Sequence, residues 1–202
     1  VANRQTLTGE GDVYSKEKYP ILIVAPVSLL HNWKFEIQSK IKPEYQFSIT
    51  TFHENNKPAT FAELQKFDVV LTSYTTLGYE YKKHLPGNYD KSTNSFRDST
   101  GEMRKFPALP TINFMKSLKR SDEYESPFYQ EDSMFYRIIL DESHEIKNLE
   151  TGKFKSCSLL RAKYRWCLSG TPIQNNVYDV FAVIKFLRIR SFMKDTIFNE
   201  KI

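Results

Sequence analysis

Asp141 and Glu142 follow directly on Met134-Phe135-Tyr136-Arg137-Ile138-Ile139-Leu140, a run whose apolar and aromatic content predicts a buried strand. Two adjacent carboxylates at the carboxyl end of a strand suit nucleotide hydrolysis: one holds hydrated Mg²⁺, and its neighbour orients or deprotonates the attacking water. His144, two residues further on, is placed to report across to another loop. An acidic pair also opens helices, where the dipole favours Asp and Glu without any chemistry, so the dipeptide alone does not decide. Downstream, Ser169-Gly170-Thr171-Pro172 sets small hydroxyl residues on a tight turn, and such hydroxyls can bond both a carboxylate and a phosphate. A Ser-Gly turn is common by itself, but its coincidence with the carboxylates favours the chemistry.

The elements that must position these residues alternate between strand and helix. Ile21-Leu22-Ile23-Val24-Ala25 predicts a buried strand ended by Pro26. From Ser28, a candidate N-cap, Leu30, Trp33, Ile37 and Ile41 recur at helical spacing until Pro43, with Trp33 expected to anchor its helix in the core. Tyr45 to Phe52 alternates as a second strand, Phe61 to Leu64 reads as a helical turn, and Phe67 to Tyr74 as a third strand. Residues 153–161 favour helix and Tyr164 to Leu168 a further strand, in which Trp166 is expected to be a core anchor. Val177, Val180, Phe181, Ile184 and Leu187 then mark one face of a last helix. This alternation predicts an α/β fold with a mainly parallel sheet. The tips at Ala25-Pro26, Ser73-Tyr74, Asp141-Glu142 and Ser169-Gly170-Thr171 would share the carboxyl edge where ligands gather in such sheets.

Between Lys82 and Asp132 the periodicity is lost and turn residues cluster at Gly87-Asn88, Asp98 to Gly101 and Pro107 to Pro110. Lys and Arg nearly balance Asp and Glu there, which makes the segment a poor dedicated DNA clamp. It is expected to be an irregular surface insertion, partly disordered, either contacting partners or simply solvated. The whole chain of 202 residues is 40% apolar and 26% charged, a globular composition, and carries a formal net charge of +5. That excess permits a polyanionic partner without demonstrating one. No apolar run approaches the roughly 20 residues of a membrane helix. Cys157 and Cys167 are too few and too far from paired His for a disulfide framework or a metal knuckle, and are expected to be inert thiols in a reducing compartment. His31, His53 and His84 lack metal-ligand spacing.

Four segments occur in a telling order: Ile23-Val24-Ala25-Pro26-Val27-Ser28-Leu29-Leu30 with Trp33, then Leu71-Thr72-Ser73-Tyr74, Asp141-Glu142-Ser143-His144, and Leu168-Ser169-Gly170-Thr171-Pro172-Ile173-Gln174-Asn175. They resemble motifs Ia, Ib, II and III of the first RecA-like lobe of SWI/SNF-family helicase-like ATPases, over nearly the whole chain. The inserted segment and Pro127-Phe128-Tyr129 look most like the yeast RING-bearing, SUMO-directed DNA translocases and their repair-linked relatives. The resemblance implies a three-layer RecA-like lobe that uses ATP and Mg²⁺. Asp141 would hold the metal through water, Glu142 would position the hydrolytic water, and His144 would connect the nucleotide site to motif III and DNA. Ser169, Gly170 and Thr171 would couple hydrolysis to the DNA track, while Ala25, Pro26, Ser73 and Tyr74 would lie along the phosphate backbone, assisted by Lys34. Lys34 otherwise belongs to a solvated helix face. Ser143 stands where Ala or Gly is usual, a small departure expected to tune coupling.

By the same resemblance, the parent protein is a nuclear, DNA-dependent ATPase that moves on double-stranded or nucleosomal DNA and displaces bound proteins, in chromatin remodelling or DNA repair. No Gly-x-x-x-x-Gly-Lys-Ser/Thr phosphate cradle follows Gly9 or Gly11, so residues 1–202 are expected to be a partial first lobe, with that cradle upstream and a second lobe after Ile202. Val1-Ala2-Asn3-Arg4 would be the last turn of the cradle's helix. The isolated chain is then expected to have no meaningful ATPase activity. Partners from the SUMO or ubiquitin pathway would bind through parts of the parent outside this chain. Two alternatives remain at this stage: a truncated relic that binds DNA or protein without catalysis, and, disfavoured by the ordered motifs, an unrelated α/β nucleotide enzyme.

Overall fold

A computed structural model describes residues 19–53, 57–98, 100–107, 111, 114, 124–171 and 178–189. The expectations for Val1 to Arg4, for Pro172 to Asn175 and for Val177 lie outside these residues. Seven strands are described: β1 (Ile21–Ala25), β2 (Ile49–Thr51), β3 (Val69–Ser73), β4 (Ser95–Arg97), β5 (Met103–Lys105), β6 (Phe135–Leu140) and β7 (Ala162–Cys167). The helices are α1 (Val27–Lys40), α2 (Phe61–Leu64), α3 (Tyr74–Lys82), α4 (Gly152–Leu159) and α5 (Tyr178–Leu187). Five strands form one sheet in the order β2-β3-β1-β6-β7 with every neighbouring pair parallel, as the strand-helix alternation predicts. No described helix is long and apolar enough to cross a membrane.

Side-chain alternation along β1, β3 and β6 sends the core to both faces of this sheet. Leu22, Val24, Val70, Ile138 and Leu140 join one cluster with residues of α2, α3, α4 and α5. Ile23, Ala25, Val69, Leu71 and Ile139 form a second, smaller cluster with Leu30 of α1, against which Trp33 and Ile37 pack. Helices on both faces of a parallel sheet explain why these strands read as continuous apolar runs.

Local detail differs from expectation at several points. α1 starts at Val27 with Pro26 in the cap position and no side-chain cap, so Ser28 lies inside the first turn. Pro26 has no N–H to satisfy, and its fixed φ suits a helix start as well as a strand end. The segment expected as a strand from Tyr45 is a 3₁₀ turn at Pro43–Tyr45 and pairs only over Ile49–Thr51. Trp166 is 47% exposed rather than a core anchor. It is in register with Ile139 on β7, the last strand of the sheet in the order β2-β3-β1-β6-β7. There the Arg137 guanidinium stacks 4.1 Å from its ring centroid.

The excursion between α3 and β6 supplies core as well as surface. β4 and β5 pair as an antiparallel hairpin, and Phe96 and Phe106 are buried beside it. Phe128 and Tyr129, on its return, are fully enclosed, Phe128 meeting Phe52 edge to face at 4.7 Å. Each such ring contributes about 2 kcal/mol by burial. Glu80 of α3, which has no exposed side-chain surface, ties this return down: Lys83 lies 2.9 Å from its Oε1, and the Tyr124 hydroxyl donates to its Oε2 at 2.7 Å.

Candidate functional site

The sheet order places the tips of β3, β1, β6 and β7 side by side, so the polar residues ending these strands meet on one edge. Backbone bonds extend the ladder past the strand ends. Asp141 N–H donates to Val24 O at 2.9 Å, Leu168 N–H to Leu140 O at 2.8 Å and Ser143 N–H to Leu168 O at 2.9 Å. The loop carrying the carboxylates is thereby fixed to the start of the Ser169-Gly170-Thr171 turn. A tight reversal at Glu142 makes this possible: its φ of 49° and ψ of 52° lie in the left-handed region, unusual for a residue with a side chain.

Asp141 accepts three hydrogen bonds. Its Oδ1 takes the N–H of Glu142 at 3.0 Å, its Oδ2 the indole N–H of Trp33 at 2.7 Å, and its backbone carbonyl the hydroxyl of Tyr74 at 2.7 Å. Burial pushes the Tyr74 phenol far above its ordinary value, aided by the thiols of Cys157 and Cys167 and the carboxylates of Glu145 and Asp141, so it stays a donor. Glu142 and His144 are partly exposed, and His144 Nδ1 lies 3.2 Å from Glu142 Oε2. That is ion-pair range when the ring is protonated, but the ring is not aimed for a hydrogen bond.

The other expected site residues divide by exposure. Ser169 is half-buried and its hydroxyl accepts from Thr171 N–H at 3.2 Å, while Gly170 and Thr171 are exposed. Pro26 is half-buried and Lys34 is exposed on α1. Ala25, Ser73 and Tyr74 are buried, so their side chains are not on offer to a duplex. Ser73 instead caps α3, its hydroxyl accepting from Thr76 N–H at 3.0 Å, and Tyr74 serves Asp141. Ser143 is buried, with its hydroxyl bonded toward Cys167.

Sequence reasoning missed Trp33 as a partner of Asp141, because the helical face it shares with Leu30 and Ile37 already accounted for it. The available signal was its indole N–H, which a packed Trp must place on an acceptor or in water.

No group of three or more His, Cys, Asp or Glu able to hold a metal occurs among the described residues. The adjacent carboxylates of Asp141 and Glu142 fit an ion that brings its own water and phosphate oxygens and needs one or two carboxylates, as Mg²⁺ does. A cleft of about 560 Å³ opens between α3 and α4, lined by Tyr74, Gly78, His144, Lys147 and Lys153 among others. Asp141 and Glu142 do not line it, but Tyr74 and His144, which contact them, do.

Comparison with known proteins agrees with this geometry. The chain is 44% identical over 180 residues to "ATP-dependent helicase ULS1" of Saccharomyces cerevisiae, covering 88% of this chain and 10% of that protein. It is 32% identical over 183 residues to "DNA repair protein RAD5" of Mycosarcoma maydis, covering 89% of this chain and 11% of that protein. Among solved structures, the Sulfolobus solfataricus SWI2/SNF2 ATPase core in complex with dsDNA superimposes with a TM-score of 0.53 at 25% identity, covering 93% of this chain and 29% of that one. The chain thus spans a small part of the relatives it matches, and residues 2–202 match the SNF2-related domain. A parallel RecA-like sheet with its carboxylate pair at the tip of β6, together with that match, makes this chain a member of the SNF2-related family.

Proposed function

We propose that this chain is part of the first RecA-like lobe of a DNA-dependent ATPase that moves along double-stranded DNA and displaces proteins bound to it. The observation that carries the proposal is the Asp141-Glu142 tip, locked by Trp33, Tyr74 and the adjoining backbone on the edge it shares with Ser169-Gly170-Thr171. Bound Mg²⁺ would neutralise charge developing on the transferred phosphoryl group. Asp141 would hold it through water, its two carboxylate oxygens each taking one N–H donor and each keeping a free lone pair. Glu142, exposed at the turn, orients the attacking water and accepts its proton. His144 carries the state of that carboxylate toward the Ser169–Thr171 turn, which is tied to the same loop through Ser143 and Leu168.

On the DNA side, main-chain groups at the Ala25-Pro26 and Ser73-Tyr74 tips and the Lys34 side chain would lie along the phosphate backbone and position the duplex without reading bases. Residues 1–202 carry no Gly-x-x-x-x-Gly-Lys-Ser/Thr cradle for the ATP phosphates, and on this reading they turn over no ATP by themselves. Nucleosomal DNA as substrate, a nuclear site of action and a place in remodelling or repair belong to the same proposal, as do SUMO- or ubiquitin-pathway partners bound through other parts of the protein.

ATP turnover by the full-length protein, with and without duplex DNA, tests this reading. DNA should stimulate turnover, and Glu142→Gln should lower it by about 10²–10⁴-fold. Turnover that is absent, or indifferent to both DNA and Glu142→Gln, sinks the proposal and leaves a lobe that only binds.

A further inference from the structure

Asp141 is gripped from both faces of the sheet. Trp33 belongs to α1, packed on the face of Ile23, Ala25 and Ile139, and donates to the side chain. Tyr74 begins α3, in the core on the face of Leu22, Val24 and Leu140, and donates to the main chain. These contacts join residues 108 and 67 positions apart. Tyr74 is 2% exposed, so its hydroxyl needs an internal acceptor. Trp33 is only partly buried, and water could serve its N–H, so burial does not force its bond to a carboxylate.

α1 and α3 are also the helices that start at the Ala25-Pro26 and Ser73-Tyr74 tips, and α1 carries the exposed Lys34. Resting on the function proposed above, we infer that Trp33 and Tyr74 are positioning residues that tie the two DNA-side helices to the metal-holding carboxylate. A shift of the first turns of α1 or α3 on the duplex then re-aims Asp141 directly, with no intervening loop. Trp33 sets the direction of Oδ2 and Tyr74 sets the height of the loop.

The test uses the full-length protein and two readouts: the Mg²⁺ concentration at which a fluorescent non-hydrolysable ATP analogue is half retained, and ATP turnover with and without duplex DNA. Trp33→Phe keeps an aromatic side chain, though a smaller one, and removes the donor, so the Ile37→Val control below accounts for lost packing. It should raise the Mg²⁺ midpoint about tenfold and cut DNA-stimulated turnover about tenfold, with duplex affinity within about twofold of the parent. Tyr74→Phe, an independent variant with Trp33 intact, should move both readouts in the same direction by about threefold. Ile37→Val, on the same face of α1, should lower the melting temperature and leave the Mg²⁺ midpoint in place.

Parental Mg²⁺ midpoints in folded Trp33→Phe and Tyr74→Phe, or an equal shift in Ile37→Val, would overturn the inference. A parent protein without DNA-stimulated turnover would instead sink the function proposed above, while the Mg²⁺ midpoint still reports on Trp33.

Discussion

Replacing Glu142 with Gly should abolish ATP turnover and make the protein more stable. Glu142 is held at φ 49° so that the chain can turn off β6 and return Ser143 N–H to Leu168 O. A left-handed conformation costs a residue with a Cβ about 1–2 kcal/mol, and Gly adopts it freely. Against this stand the greater freedom Gly brings to the unfolded chain, about 0.5–1 kcal/mol, and the lost contact with His144. In that contact the two side chains are 40% and 30% exposed, so screening leaves it a few tenths of a kcal/mol. The balance favours Glu142→Gly by about 0.5 kcal/mol, or about 1–2 °C in melting temperature for a domain of this size. Glu142→Gln keeps the strained backbone, so its urea midpoint should stay close to that of the parent while its turnover is lost. Urea unfolding followed by circular dichroism at pH 7 compares the three proteins. If Glu142→Gly unfolds at lower urea than Glu142→Gln, the turn is not strained and the backbone reasoning is wrong.

Two further outcomes follow from buried groups. Burial alone would push the Glu80 carboxyl up, but the bonds from Tyr124 and Lys83 outweigh it and hold the group below its usual range. A carboxyl lowered on folding contributes stability above its unfolded value near ~4.3 and loses it as pH falls through the folded value. Glu80→Gln should therefore cost about 2 kcal/mol in urea unfolding at pH 7, with the gap closing below about pH 4; a gap unchanged down to pH 3 would refute the assignment. Cys157 is fully enclosed with its thiol pushed well above the usual value, and burial pushes the Cys167 thiol up to about 12. Iodoacetamide at pH 8 should leave both unmodified by mass spectrometry until urea unfolds the protein, and rapid native labelling of either would contradict the packing.

What was legible in the sequence is what local pattern controls. β1, β3 and β6 are apolar because both faces of the sheet are covered, and they read as buried strands without any knowledge of their partners. The spacing of Leu30, Trp33 and Ile37 marked the buried side of α1. α3 was not legible: Tyr74-Thr75-Thr76-Leu77-Gly78-Tyr79 has weak helix propensity, and the helix depends on the Ser73 cap and on packing of Leu77 and Tyr81. The core contributed by Phe96, Phe106, Phe128 and Tyr129 follows no period either, since these rings meet Phe52, Phe135 of β6 and one another only through the fold. In the site, Asp141 and Glu142 stood out because charge directly after a buried strand is costly unless placed at its tip. Trp33 and Tyr74 did not, because the acceptor of each is set by strand order, which no local pattern encodes.

Burial separates two of the side chains expected along DNA from the exposed edge. Ser73 ends β3 and its hydroxyl turns back to cap α3, while Tyr74 opens α3 and its hydroxyl reaches the main chain of the carboxylate loop. A buried hydroxyl that caps α3 and a buried phenol bonded to Asp141 cannot meet phosphate without unfolding the turn that holds them. On the proposed function, contact with a duplex at this edge would fall to exposed side chains such as Lys34 and to main-chain groups at the strand tips. Under the function proposed above, the outer surface would need only to follow phosphate, and the difference between bound and free DNA would be read inside, where a small displacement of α1 or α3 changes the donors around a single carboxylate.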